Sequence, residues 1–315
     1  MMNLFSKNIF LKIYKKLRFF LIGKIFSKIT SLRPFHEKDI KYVKWISEKI
    51  YENYYIPNLK KKHPTSFFVY QTFNDYWKDF WKILSNKDFR NILKNCLEMS
   101  NLMIPAHQSR ENLYSYYKSL ENIFIFRYLQ YPLIDKKYLN NNIYPLLDFI
   151  KTFDCKVKYL EIGPGIPHKL FYLAYKYPEY VEKIETIEFF DLDIKYFEIV
   201  SIITKQIFPT TEVIINHSDF TSIIKPREKF NYFYAKDVFE HIFDAKYNLK
   251  SILEKSCNNA RLVIDIIDRE QEKYQHVTLN LSNLSEVILE KKFKEISIRN
   301  ISRHLFKSRL RIFEK

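Results

Sequence analysis

The sequence predicts an α/β fold built on a parallel sheet, and three observations predict it. Beyond residue 142 short apolar runs alternate with helical patterns, the mark of successive βα units. Two of the chain's three glycines fall together, as Gly163 and Gly165 in the stretch V-K-Y-L-E-I-G-P-G-I from Val157 to Ile166. Average usage would supply roughly twenty glycines to a chain of this length, so a sequence that avoids them retains these two for a tight turn. Acids also recur at the ends of the apolar runs, as Glu161, Asp191, Asp219 and Asp237. Open parallel sheets bind their ligands at that carboxyl edge.

The 315 residues are 47% hydrophobic and 17% aromatic, enough for a real core in one large or two ordinary domains. Cys96, Cys155 and Cys257 are widely spaced and form no C-x-x-C pair, which argues for reduced thiols in a cytoplasm and against a disulfide framework or zinc site. The eight histidines are scattered, and no metal is expected.

The formal charge of +16 invites a nucleic-acid reading, but half of it lies in the first 34 residues, which hold Lys7, Lys12, Lys15, Lys16, Arg18, Lys24, Lys28 and Arg33 and no acid. On a helical wheel Ile9, Phe10, Ile13, Tyr14, Leu17, Phe20 and Leu21 share one face and Lys12, Lys15, Lys16 and Arg18 the other. Residues 1–33 therefore read as a basic amphipathic segment that either lies on the inner face of a membrane or packs on the protein's own core. No apolar run there approaches the roughly 20 residues of a membrane span, and no cleavage site of a secretory signal follows. The expected location is cytoplasmic, with peripheral membrane contact as the first of the two readings.

Residues 34–142 form a helical region punctuated by Pro57, Pro64 and Pro105, with Trp45, Tyr76, Trp77 and Trp81 at spacings that suit a core. Ala106 to Tyr128, with His107, Arg110, Glu111 and Tyr114, reads as a candidate lid or substrate region. The polar stretch Asp135 to Asn142 reads as the boundary to a domain spanning 143–315.

In that domain a helix from Tyr144 to Phe153 leads into the strand before the glycines, and a helix from His168 to Tyr177 follows them. Glycine permits positive φ and close approach of another molecule to the backbone, so a strand, tight turn and helix can hold a nucleotide-like ligand at the helix N-terminus. A second strand, Ile184 to Phe190, ends at Asp191, and its helix carries Tyr196, Phe197, Ile199 and Val200. A third, Glu212 to Ile215, leads to Asp219; a fourth, Phe230 to Ala235, runs into K-D-V-F-E-H-I. A fifth strand at Arg261 to Ile267, a helix at Leu284 to Lys291, and strands near Glu295 to Ile301 and Leu305 to Phe313 complete the pattern.

Residues 145 to 315 resemble the class I S-adenosylmethionine-dependent methyltransferases. Glu161-Ile-Gly163-Pro-Gly165 is similar to the family's acidic-apolar-Gly-x-Gly turn, which sits against the cofactor's homocysteine and ribose. Asp191 stands where an acid holds the ribose hydroxyls, a task that suits a carboxylate because it accepts two hydrogen bonds from a diol; Glu188 is the runner-up. Ser218-Asp219 resembles the acid that accepts from the adenine amino group, and Asp237-Val-Phe-Glu240-His241-Ile resembles the signature after the fourth strand. The resemblance implies a Rossmann-like, seven-stranded sheet with helices on both faces, S-adenosyl-L-methionine as cofactor, and Glu161, Gly163, Gly165, Asp191, Asp219 and Asp237 around it.

Three departures accompany the resemblance. Pro167 replaces a frequent third glycine, Asn231 the usual acid of the fourth strand, and Asn258-Asn259 a Gly-Gly turn before the fifth, where asparagine tolerates the left-handed conformation. An NAD-binding enzyme fits less well, because G-x-G-x-x-G needs glycine where His168 stands. The implied reaction is methyl transfer to a hydroxyl, here read as a sugar hydroxyl of a surface polysaccharide or its precursor, with His241, His276 and Asp268 as candidate bases. Nucleic acid is the less favoured partner, for no N-P-P-Y, D-P-P-Y or Pro-Cys motif is present. Methylation of an RNA or another small molecule, and an inactive methyltransferase-like membrane or complex subunit, are the alternatives.

Overall fold

A computed structural model describes residues 37–50, 53, 138–192, 195–218, 223–265, 281, 283–302 and 307–315. The amphipathic segment 1–33, most of the helical region with its candidate lid, and Asp219, Asp268 and His276 lie outside the described residues. The elements in chain order are α1 (Glu37–Ile50), α2 (Tyr138–Thr152), β1 (Val157–Ile162), α3 (His168–Lys176), a 3₁₀ helix (Pro178–Lys183), β2 (Ile184–Asp191), α4 (Lys195–Ile207), β3 (Glu212–His217), β4 (Phe230–Ala235), a 3₁₀ turn (Phe239–His241), α5 (Ala245–Leu253), β5 (Ser256–Asp265), α6 (Leu284–Glu290), β6 (Lys294–Ser302) and β7 (Lys307–Glu314).

The seven strands form one sheet in the order β3-β2-β1-β4-β5-β7-β6. The first five pair in parallel, and β7 runs antiparallel to β5 and β6. This is the seven-stranded Rossmann-like sheet that the sequence predicts. All six residues of β4 are buried, which requires cover on both faces of the strand. Its side chains alternate accordingly: Tyr232 packs on Phe149 of α2, Tyr234 donates to Asn142 of α2, and Phe233 meets Phe239 from the other side.

Helix α2 begins at Tyr138, six residues before the expected start and inside the stretch read as a boundary. Leu139, Asn142 and Ile143 are buried there, and the 2.6 Å hydrogen bond from Tyr234 satisfies the asparagine. Arg261 on β5 binds the other end of the same helix, donating to the Pro145 carbonyl at 2.9 Å and to Asp148 at 2.8 Å while also pairing with Glu314 of β7.

Two of the sequence departures have a physical account. Asn231 faces the start of β1, where its Oδ1 accepts from the Lys158 amide at 2.8 Å and its Nδ2 donates to the Lys156 carbonyl at 3.0 Å. An acid at this position has no donor for that carbonyl. The expected left-handed Asn258-Asn259 turn does not form: both residues lie inside β5, which starts five residues before the predicted Arg261, and neither has positive φ. They occupy an irregularity in pairing, since Phe230 faces Ser256 whereas Tyr232 faces Arg261. The extra residues are absorbed as a bulge, which an extended backbone accommodates without a turn.

Candidate active site

The ends of β2, β1 and β4 are adjacent at the carboxyl edge, and the sequence folds there into a turn fastened on both sides. Gly163 and Gly165 both have positive φ, +61° and +52°, as the tight turn requires. The Gly163 amide donates to the Phe190 carbonyl at 2.8 Å, which ties the turn to the residue before Asp191. On the other side a Cβ at Gly163 would stand 2.6 Å from Cγ2 of Val238, the residue after Asp237. Any side chain at 163 therefore meets the loop after β4.

Pro167, in place of the third glycine, precedes α3, and the His168 amide closes a tight turn onto the Ile166 carbonyl at 2.7 Å. The His168 ring is buried and its Nδ1 shares a 2.9 Å hydrogen bond with the Tyr42 hydroxyl of α1. Tyr42 also packs edge-on against Tyr172, and Trp45 against Tyr175. Helix α1 therefore packs along α3 from His168 to Tyr175, a placement that the sequence pattern alone does not reveal.

Glu161, the residue two before Gly163, is buried and ion-paired with Lys169 from the first turn of α3. Tyr159 donates to its other oxygen, and the Lys169 ammonium lies 3.9 Å from the centre of the Tyr234 ring. Burial pushes the Glu161 carboxyl up, against the opposing pull of Lys169 and Tyr159, and pushes Lys169 down, against Glu161. Tyr159 is raised well above the usual phenol range by burial and by the Glu161 charge. Lys169 was not singled out in the sequence; an apolar helix carrying a lysine in its first turn, opposite an acid eight positions back, is the signal that points to it.

Asp191 is the last residue of β2 and is buried. Its Oδ1 accepts from the Leu192 amide at 2.8 Å, and its carbonyl accepts from the Ser218 amide at 2.8 Å, which holds the end of β3 beside it. Glu188 sits mid-strand and is otherwise engaged: Oε1 accepts from Asn216 at 2.9 Å and from the Arg227 amide at 2.8 Å, and Oε2 from the Glu228 amide at 3.5 Å. Burial raises its carboxyl from the usual range, opposed first by the Arg227 amide and then by Asn216. Glu188 thus braces the loop before β4, and Asp191 is the acid at the strand end.

Asp237 follows β4 by two residues and takes the left-handed conformation at φ +53°, a strained position for a residue with a side chain. Its carboxylate lies 4.0 Å from the largely buried Lys236 ammonium. His241 closes the 3₁₀ turn, half-buried, with Glu240 buried beside it. Asp265 is the last described residue of β5 and is buried.

No family model matches the sequence, and no curated protein matches it. Solved structures similar to the chain include magnesium protoporphyrin IX methyltransferase from Synechocystis with bound S-adenosylmethionine, at 10% identity and a TM-score of 0.48 over 65% of this chain and 96% of that one. An N-methyltransferase from Bradyrhizobium japonicum in complex with S-adenosylhomocysteine gives 12% and 0.40 over 54% and 84%. A 1,6-didemethyltoxoflavin N1-methyltransferase from Burkholderia thailandensis gives 12% and 0.45 over 64% and 87%.

Proposed function

We propose that the chain is an S-adenosylmethionine-dependent methyltransferase. The observation that supports this best is the glycine turn fastened between two acid-bearing strand ends, by the Gly163 amide on the Phe190 carbonyl and by Val238 against Gly163. Asp191 and Asp237 thereby flank a bare stretch of backbone at the carboxyl edge, and the donor set fits the group. A carboxylate at 191 suits a ribose diol, and the turn suits close approach of the homocysteine moiety. S-adenosylmethionine, when bound, supplies an electrophilic methyl group. Positioning an acceptor in line with it is worth roughly 7–11 kcal/mol, and a general base adds about 10²–10⁴-fold in rate. His241, and outside the described residues His276 and Asp268, are the side chains proposed for that base.

The acceptor is proposed to be a sugar hydroxyl of a surface polysaccharide or its precursor. Support comes from the sequence alone: the basic amphipathic segment 1–33, suited to an anionic membrane surface, and the aromatic-rich region before the domain. Among the described residues no helix is long and apolar enough to cross a membrane. Calorimetry with S-adenosylmethionine and S-adenosylhomocysteine tests the cofactor; absence of binding by the full chain refutes the proposal. A panel of sugar nucleotides and glycans with radiolabelled cofactor tests the acceptor, and liposome flotation with and without residues 1–33 tests the membrane contact.

A further inference from the structure

Helix α1 precedes the alternation of strands and helices and lies against both α3 and α4. Those two helices start from the strand ends proposed to hold the cofactor: α3 begins at His168, directly after the glycine turn, and α4 at Lys195, just past Asp191. The stripe of Tyr42, Val43, Ile46 and Ile50 that α1 turns inward is buried, with the spacing of one helix face. Apolar packing alone lets a helix slide or rotate on its partner. The bond shared by the Tyr42 hydroxyl and His168 Nδ1, buried and 2.9 Å long, is directional, and it fixes α1 at the first residue of α3. Pro167 gives that helix no side-chain cap, and the His168 amide turns back to the Ile166 carbonyl, so Tyr42 holds this helix end from outside.

We propose that α1 is a clasp across these two helix starts and that Tyr42, acting through His168, is a positioning residue for the glycine turn. This rests on the methyltransferase reading above. Glycine has more backbone conformations open to it than any other residue, so a turn that places Gly163 and Gly165 at positive φ keeps one shape only if both its ends are held. The near end is tied by the Gly163 amide to the Phe190 carbonyl; the far end is the step from Pro167 to His168, on which α1 bears. With α1 docked, the turn stands in the form that a cofactor meets. With α1 displaced, the far end is left to its local bonds, and part of the binding energy of the cofactor goes into ordering it. The linkage is reciprocal: if docking of α1 favours the cofactor, the cofactor favours docking of α1 to the same degree.

The test is calorimetry of the full chain with S-adenosylhomocysteine, with thermal melts of each unliganded protein, and hydrogen exchange of wild type with and without the same ligand. Tyr42→Phe, which keeps the ring and removes the hydroxyl, is expected to weaken binding by about two- to tenfold, the range that one hydrogen bond carries, and Tyr42→Ala by more. In a His168→Phe background, Tyr42→Phe is expected to change the affinity no further, since the contact is already gone. The ligand is expected to slow exchange at residues 41–50 of wild type more than in β6, at the far edge of the sheet. A helix that merely covers α3 lowers the melting temperature when altered and leaves the affinity of the folded protein alone. A change below about twofold in folded Tyr42→Phe, or exchange in α1 slowed no more than in β6, therefore overturns the proposal. Should Tyr42→Ala fail to fold, Tyr42→Phe and the exchange of wild type carry the same expectations and the same refutations. Absence of binding by wild type overturns the methyltransferase reading itself, a result distinct from either.

Discussion

Replacing Gly163 by alanine tests whether the glycine turn is dictated by its own packing. At φ +61° a residue with a Cβ pays about 1–2 kcal/mol for the left-handed conformation. The new Cβ would lie 2.6 Å from Cγ2 of Val238, closer than carbon atoms approach, and 3.1 Å from its Cβ, a tight contact. Overpacking of this kind typically costs about 1–3 kcal/mol. Val238 has little room to yield, being 6% exposed between Asp237 at φ +53° and the buried Phe239. The expected total is therefore about 2–5 kcal/mol, a large fraction of the ~5–15 kcal/mol that holds a typical domain folded. Urea denaturation gives this as a shift in midpoint at constant slope. The double variant Gly163→Ala/Val238→Ala relieves the closer of the two contacts. With Cγ2 gone and only the 3.1 Å contact to Cβ left, alanine at 163 should cost little more than the conformational ~1–2 kcal/mol. Equal costs in both backgrounds, or a single-variant cost below about 1 kcal/mol, would refute the packing argument.

Four further outcomes are expected. Asp191→Ala should weaken S-adenosylmethionine binding by about tenfold or more at roughly 1.5–3 kcal/mol per charge-assisted hydrogen bond, whereas Glu188→Ala should lower the urea midpoint and leave the affinity of the folded protein nearly unchanged; the opposite ranking by calorimetry would reverse the two assignments. Asn231→Asp should destabilise by about 1–3 kcal/mol at neutral pH, since the Lys156 carbonyl loses its donor, and a silent result in urea would contradict this. Tyr42→Phe, which removes the hydroxyl bonded to His168 and keeps the ring, should cost about 0.5–1.5 kcal/mol in the same assay. The folded-state carboxyl of Glu161 is raised, so its stabilising contribution is complete below its unfolded value and is lost as pH rises through the folded one. The stability of wild type relative to Glu161→Gln should accordingly fall with rising pH from about 4.5 upward; a difference that grows with pH has the wrong sign.

The central strands were legible in the sequence because parallel strands buried on both faces read as short unbroken apolar runs, as in Phe230–Ala235. The carboxyl-edge acid at 191 and the glycine turn were legible for a similar reason, since each breaks such a run with a residue of opposite character. What remained hidden depends on partners remote in sequence. Glu188 and Asp191 look alike on paper, and only the amides of Arg227 and Glu228 distinguish a loop brace from a strand-end acid. The start of α2 was misplaced because Asn142 counts as polar until Tyr234, on a strand 92 positions away, supplies its partner. Asn258 and Asn259 read as a turn only because they stand where the resemblance has Gly-Gly, whereas the pairing irregularity of β5 needs only extended residues.

Contact between Tyr42 and His168 joins residues 126 positions apart, and that separation has a meaning in time. During synthesis at about 5–20 residues per second, Tyr42 of α1 is made roughly 6–25 s before the histidine that receives it. For that interval its face of Tyr42, Val43, Ile46 and Ile50, buried in the finished protein, has no α3 to cover it. Nascent chains stalled before residue 168 should therefore cross-link to a chaperone through this face, and chains extended past α3 should not. The helix nearest the start of the described chain is in this sense a late arrival, and the birth of the protein has a vulnerable stage that its final form conceals.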